Sequence, residues 1–243
     1  MLKSLVFNRL LPRIYKFYLS VNLKTKKLVL ENDAKCLCIA PHSDDESIGM
    51  GATLYKYSNN FKVICLTNGV KGIKSLPPDE AKKVRKEEFL KAMQVANIKD
   101  HEVFDIDDKN IIGEYDKFEK IEIADFDYIF VPNILDQHMD HKSVAINLAR
   151  LLKDKKHKKG VKILLYEVWS SLPMPNAFVD ISDCIEIKKQ MVNSHVSQVE
   201  VKDYTSKAIS LNSYRGLPHD IDFAEAFVML DLAQFLNLCK LCV

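Results

Sequence analysis

The chain has no run that approaches the ~18 to 20 apolar residues a membrane-spanning helix needs. It lacks an excess of either charge. Its 35 basic and 33 acidic residues leave a formal +2, which is no electrostatic footprint for nucleic acid. Paired cysteine spacing is also scarce. The six cysteines (Cys36, Cys38, Cys65, Cys184, Cys239 and Cys242) are scattered, and three lie inside apolar strand-like runs. That distribution fits buried, reduced thiols in a cytoplasmic protein better than a disulfide framework. "CKLC" at 239–242 has CxxC spacing but no second pair, so a zinc or redox site is not expected there. No repeat, low-complexity linker or compositional break divides the 243 residues, a length that supports one large core.

From residue 35 onward, strand-like and helix-like segments alternate. "KCLCIA", "FKVICLT", "DYIFVP" and "VKILLYEVW" are short apolar runs rich in β-branched and aromatic residues. Between them lie helical patterns, the clearest over 78–97, with an acidic first turn and an apolar stripe through Val84, Phe89, Met93 and Ala96. A second helix is expected over 141–153. This alternation predicts an α/β fold: a three-layer α/β/α sandwich around a mostly parallel, Rossmann-like sheet. Residues 1–30 stand apart as a basic amphipathic appendage to a domain over 31–243. There Leu2, Val6, Leu10 and Ile14 recur at helical spacing among Lys3, Arg9, Arg13 and Lys16, and Pro12 is expected to kink or break the helix. Such a segment can lie on an anionic membrane surface through residues 1–20, or dock on its own domain or a second subunit. A homo-oligomer is compatible with it. No small-residue cleavage site follows, so a secretory signal is not expected.

In open α/β sheets, ligands sit beyond the carboxyl ends of the strands. "PHSDDE" at 41–46 follows the first long apolar run and so falls on that edge. Crowded carboxylates repel, and burying them is costly unless a cation sits among them. The ordinary alternative is a helix start, with Ser43, Asp44 and Asp45 as caps. "TNGVKG" follows the second strand, where Gly69 and Gly72 permit a tight turn near a ligand. "VPNILDQHMDHKSVA" follows a third strand and leads into a helix, placing His138 and His141 three residues apart. A catalytic zinc commonly takes three ligands from histidine and carboxylate and keeps a fourth position open. His42, Asp45 and His141 can supply such a set while Asp44 and His138 stay free for chemistry. No cysteine lies near either motif, which argues against a closed structural-zinc site.

"HSDDE" at 42–46 and "HMDH" at 138–141 resemble the paired HPDDE and HPDH (or HxDH) motifs of the PIG-L/LmbE-type zinc-dependent N-acetylsugar deacetylases. The resemblance continues in "LTNGVKG", in "RKEEFLKAMQVANI" from Arg85, in "YEVWSSLPMPNAFVDIS", in "SQVEVKDY" and in "YRGLPHDIDFAEAF", covering roughly residues 35–230. It implies His42, Asp45 and His141 as ligands of Zn²⁺, with Fe²⁺ or another divalent ion as an alternative. It implies Asp44 as the general base, His138 as the residue that stabilises the oxyanion or assists the leaving amine, and Arg85 as a residue brought toward the substrate. Ser43 and Met139 stand where the family most often has proline, so both loops are expected to be less rigid.

Two further substrate-binding candidates come from softer signals. Asp107, in the charge run with Asp105 and Asp108, could hold sugar hydroxyls, although a solvated loop is the usual role. Glu167, with Trp169, ends a strand where an aromatic ring can stack on a sugar or pack into the core. The implied activity is metal-dependent removal of the N-acetyl group from an N-acetylated amino sugar or its glycoconjugate, in glycan or surface-polysaccharide biosynthesis. Hydrolysis of another N-acyl amide at the same site, or sugar binding without catalysis, are the alternatives.

Overall fold

The computed structural model describes residues 11–20 and 24–242. Its strands are β1 (Lys26–Lys27), β2 (Cys36–Ala40), β3 (Phe61–Thr67), β4 (Asp100–Ile106), β5 (Tyr128–Pro132), β6 (Lys162–Tyr166), β7 (Ala177–Asp180) and β8 (Ala224–Asp231). They form one sheet in the order β1-β7-β8-β6-β5-β2-β3-β4. β8 alone runs against its neighbours β6 and β7, and every other pairing is parallel.

The apolar runs are continuous because both faces of the sheet are covered. All five residues of β2 are buried. Leu37 and Ile39 enter one core layer, while Cys36 and Cys38 enter the other, the period of two that a strand imposes. On the cysteine side pack α2 (Asp45–Lys56) and α3 (Pro78–Val95), with α6 (Ile185–Asn193) over them. On the opposite side lie α1 (Leu11–Ser20), the short α4 (Tyr115–Phe118), α5 (Met139–Asp154) and α9 (Leu232–Cys242). The one-turn α7 (Val196–Val199) and the longer α8 (Tyr204–Gly216) precede β8. This is the expected α/β/α sandwich.

Described residues before 31 take part in this packing. β1 pairs in parallel with β7, matching Lys26 to Ala177 and Lys27 to Phe178, and Leu28 and Leu30 are buried in the cysteine-side core. α1 contributes Phe17 and Tyr18 to the opposite core and packs against α9. Pro12 is the second residue of α1 as described, in the first turn, where a missing N–H costs nothing. Leu2, Val6 and Leu10, three of the four residues of the apolar stripe, lie outside the described residues. Among the described residues no helix is long and apolar enough to cross a membrane.

The strand order β4-β3-β2-β5-β6 reverses direction between β2 and β5, so the chain leaving β2 goes one way and the chain leaving β5 the other. The crevice that opens at such a switch point is where ligands bind in open sheets. "HSDDE" and "HMDH" are the segments that border it.

Candidate active site

Backbone geometry delivers each side chain. Asp44 occupies the N-cap position of α2, yet its side chain makes no capping hydrogen bond. It turns instead toward Arg85, whose Nη2 lies 3.4 Å from Asp44 Oδ2. Ser43 Oγ is buried with no partner. Capping therefore does not account for these residues. α2 itself is broken at Met50 (φ −149°, ψ 26°), and the amides of Ala52 and Thr53 just beyond the break donate to the Glu225 carboxylate at 3.1 and 2.7 Å. Glu225 is also 2.5 Å from Lys188 Nζ, and both residues are fully buried. Gly49 lets the first half of α2 lie against β6, since a Cβ there would meet Tyr166 Cδ2 at 2.4 Å.

Asp45 is the centre of the cluster. Its Oδ2 accepts the His42 amide at 2.9 Å, stands 3.1 Å from His42 Nδ1 and lies 3.2 Å from His141 Nε2. His42 Nε2 is 3.1 Å from Asp140 Oδ2, and His141 Nδ1 is 3.3 Å from Asp136 Oδ2. Ring nitrogens of His42, His138 and His141 fall within 4.8 Å of one another. Asp45 Oδ1 is buried without a hydrogen-bond partner, and the two nitrogens of His141 meet carboxylate oxygens without good hydrogen-bond geometry. A buried carboxylate with imidazole nitrogens gathered around it is a donor set suited to a borderline divalent cation. The residues present fit such an ion.

The charge balance has the same character. Burial alone would lower both imidazoles, but the carboxylates outweigh it. Asp140 and Asp45 raise His42 to about 10, and Asp45 and Asp136 raise His141 to about 9. Burial would raise Asp45, and His141 and His42 hold it below the usual carboxylate range instead. Without a metal the acids gather positive charge from protonated rings. His138 differs, because burial and the neighbouring His42 and His141 all lower it. Its Nδ1 accepts the Asp140 amide at 3.2 Å, which places the proton of the neutral ring on Nε2.

The remaining expectations divide. Arg85 is 3% exposed and lines the cavity above the histidines with His42, Asp44 and His138. Asp107 does not line it: its side chain is exposed and accepts from Asn68 at 2.9 Å. The next residue, Asp108, turns inward, accepts the amides of Gly69 and Lys71 at 3.2 and 2.6 Å, and borders the cavity. Gly69 adopts φ +71° at this turn. Glu167 does not offer a free carboxylate to a ligand. It forms an ion pair with Arg215 Nη2, accepts from Arg215 Nε at 3.1 Å and accepts the Leu172 amide at 2.6 Å. Trp169 is no core residue; it is 38% exposed and walls the cavity together with Tyr204.

Asp136 and Asp140 escaped the sequence reading. Asp136 Oδ1 accepts the His138 amide at 2.9 Å, and Asp140 Oδ2 accepts the Lys109 amide at 2.7 Å. Each steadies one histidine by its far nitrogen, the role second carboxylates play around metal-bound imidazoles. The signal was present, since an aspartate two residues before a turn amide is an Asx-turn pattern.

The sandwich, the switch-point crevice and the histidine–carboxylate cluster define an α/β protein with a candidate metal centre. Residues 37–151 match the model of the PIG-L family, described as GlcNAc-PI de-N-acetylase. The match spans both motifs. Among solved structures, the chain is similar to N,N′-diacetylchitobiose deacetylase from Pyrococcus horikoshii, with 22% identity, 94% of this chain and 92% of that one covered, and a TM-score of 0.68. The zinc-inhibited form of teicoplanin deacetylase Orf2 gives 16% identity, 82% and 98% coverage, and a TM-score of 0.65. GalB, the 4-carboxy-2-hydroxymuconate hydratase from Pseudomonas putida KT2440, gives 14%, 81% and 96%, and 0.63. These likenesses show the fold. The third carries a different reaction in its name, so the argument for function rests on the site.

Proposed function

We propose that the chain is a metal-dependent hydrolase that removes the acetyl group from an N-acetylated amino sugar or its glycoconjugate, releasing acetate and the free amine. The observation that carries this reading is the buried cluster of His42, Asp45, His138 and His141, with Asp45 Oδ1 unpartnered, inside the segment that matches the PIG-L family.

His42, Asp45 and His141 would hold the cation, and zinc suits that donor set. A bound divalent ion supplies Lewis acidity to an amide carbonyl, a poor electrophile, and to water, a poor nucleophile. The chain's own groups do the rest. Asp44, held by the Arg85 guanidinium, faces the cavity as a carboxylate and takes the proton from attacking water at an Oδ atom. His138 presents its Nε2 proton, with Nδ1 fixed by the Asp140 amide, and donates it to the developing oxyanion or to the leaving nitrogen. Arg85 is poised to orient the substrate. Five buried cysteines and a half-buried sixth, all unpaired, support a reducing compartment such as the cytoplasm. A place in glycan or surface-polysaccharide assembly follows from the substrate class.

The test is acetate release from a panel of N-acetylated sugars and glycoconjugates, using chelated and zinc-restored protein side by side. Release that stops on chelation and returns with zinc is the expected result. Release of other acyl groups in preference to acetate would move the reading to a different N-acyl amide. Silence across the panel with metal stoichiometrically bound would leave a sugar-binding protein built on this site.

A further inference from the structure

Two cavities share one aromatic wall. The cavity above the histidines is bounded on one side by Trp169 and Tyr204. A second, open cavity adjoins the same two residues and is lined also by Lys202, Lys207, Leu211 and Asn212. The rings of Trp169 and Tyr204 meet edge to face, with centroids 5.1 Å apart. Lys202 Nζ stands 5.7 Å from the Trp169 centroid and 5.6 Å from that of Tyr204.

The charges in the second cavity are unbalanced. Glu167, its one acidic lining residue, is consumed by Arg215 and the Leu172 amide. Asp203 is occupied at the start of α8, accepting from Ser206. Among the described residues, neither Lys202 nor Lys207 has a carboxylate within ion-pair distance, and both are exposed. An aromatic face next to two unneutralised ammonium groups recognises a flat ring that carries phosphate. Two adjoining cavities call for a ligand in two parts, one of which reaches the histidines.

We propose that the second cavity seats a nucleoside diphosphate: the base lies against the Trp169 and Tyr204 rings, Lys202 and Lys207 take the phosphates, and the attached amino sugar extends to His42 and His138. The identity of the sugar end rests on the deacetylase reading. The seat for base and phosphates does not, because it can be tested without turnover.

Trp169 is the chain's one tryptophan, so its fluorescence reports on this wall alone. Titration of the full chain with uridine diphosphate, without substrate, should give saturable quenching. The double substitution Lys202→Met and Lys207→Met should weaken that binding by about tenfold or more, as expected for lost charge-assisted contacts. Both side chains are exposed, so the fold and metal content should be unchanged, as circular dichroism and metal analysis would check. Quenching by inositol phosphate as strong as by uridine diphosphate would overturn the base-stacking half. An unchanged affinity in the double variant would overturn the phosphate half, and absence of quenching would overturn both. Acetate release without uridine diphosphate binding would sink this proposal and spare the deacetylase. Uridine diphosphate binding with no acetate release from any member of the panel would do the reverse.

Discussion

Asp136 Oδ2 lies 3.3 Å from Nδ1 of His141, and the same oxygen accepts the amides of Trp169 and Ser170 at 2.9 and 3.2 Å. One carboxylate thus fixes the tilt of a buried imidazole and the chain that carries the aromatic wall. A neutral amide in its place would keep the shape and lose the charge. Asp136→Asn should lower metal affinity by about 10- to 100-fold, the usual cost of losing such a partner. Competition with a chromophoric chelator measures it, and an unaltered affinity would remove Asp136 from the metal's support.

Asp44 and His138 are assigned to proton handling and not to holding the ion. Asp44→Asn and His138→Gln should each keep a full metal complement while turnover falls by ~10² to 10⁴-fold. Loss of metal in Asp44→Asn would make that residue a ligand. Full activity would end its role as base.

Lys188 and Glu225 form a fully buried ion pair, and Glu225 also caps the second half of α2. Removing one partner strands the other charge out of water. Lys188→Met should cost about 3 to 5 kcal/mol, read from the urea midpoint at constant slope. A change under ~1 kcal/mol would mean that water reaches Glu225.

Gly69 holds a left-handed φ, and a Cβ there would stand 3.0 Å from Arg85 Cβ and Cγ. Gly69→Ala should cost about 1 kcal/mol or more in stability. It should also displace Arg85, so substrate turnover should drop while metal content holds. Wild-type kinetics in this variant would argue that Arg85 does not orient the substrate.

Deleting residues 1–20 removes Phe17 and Tyr18 from a shared core. Phe17→Ala alone should destabilise by about 3 kcal/mol, at the low end for a large buried aromatic. The deletion should lower the melting temperature even where no lipid is present. An unshifted melting temperature, combined with lost liposome binding, would make the segment a membrane element instead.

The legible part of the molecule was its local part. The strands at 36–40, 61–67, 128–132 and 162–166 are buried on both faces or nearly so, and such strands read as unbroken apolar runs. The motifs stood out because they are short and sit at strand ends. β4 was hidden by its surface, since most of "DHEVFDI" is exposed or half-buried at the sheet edge. Asp108, one position beyond Asp107, is the residue that borders the cavity. Beyond β4 the chain turns, sending one side chain to Asn68 and the next to the Gly69 loop. Glu225 and Lys188 are 37 residues apart, and nothing local to either names the other. Glu167 likewise finds Arg215 only through the fold, 48 residues away.

The single reversed strand sets an order of events as the chain leaves the ribosome. β7 meets the sheet only through β8, and β1 only through β7, so two strands made earlier must wait for residues 224–231. The parallel unit from β2 to β6 carries both histidine motifs and needs nothing later than Tyr166 to pair. During synthesis the metal pocket can therefore assemble while Phe178 and its neighbours are still uncovered. That interval is when a nascent chain of this topology most needs shielding from its own kind.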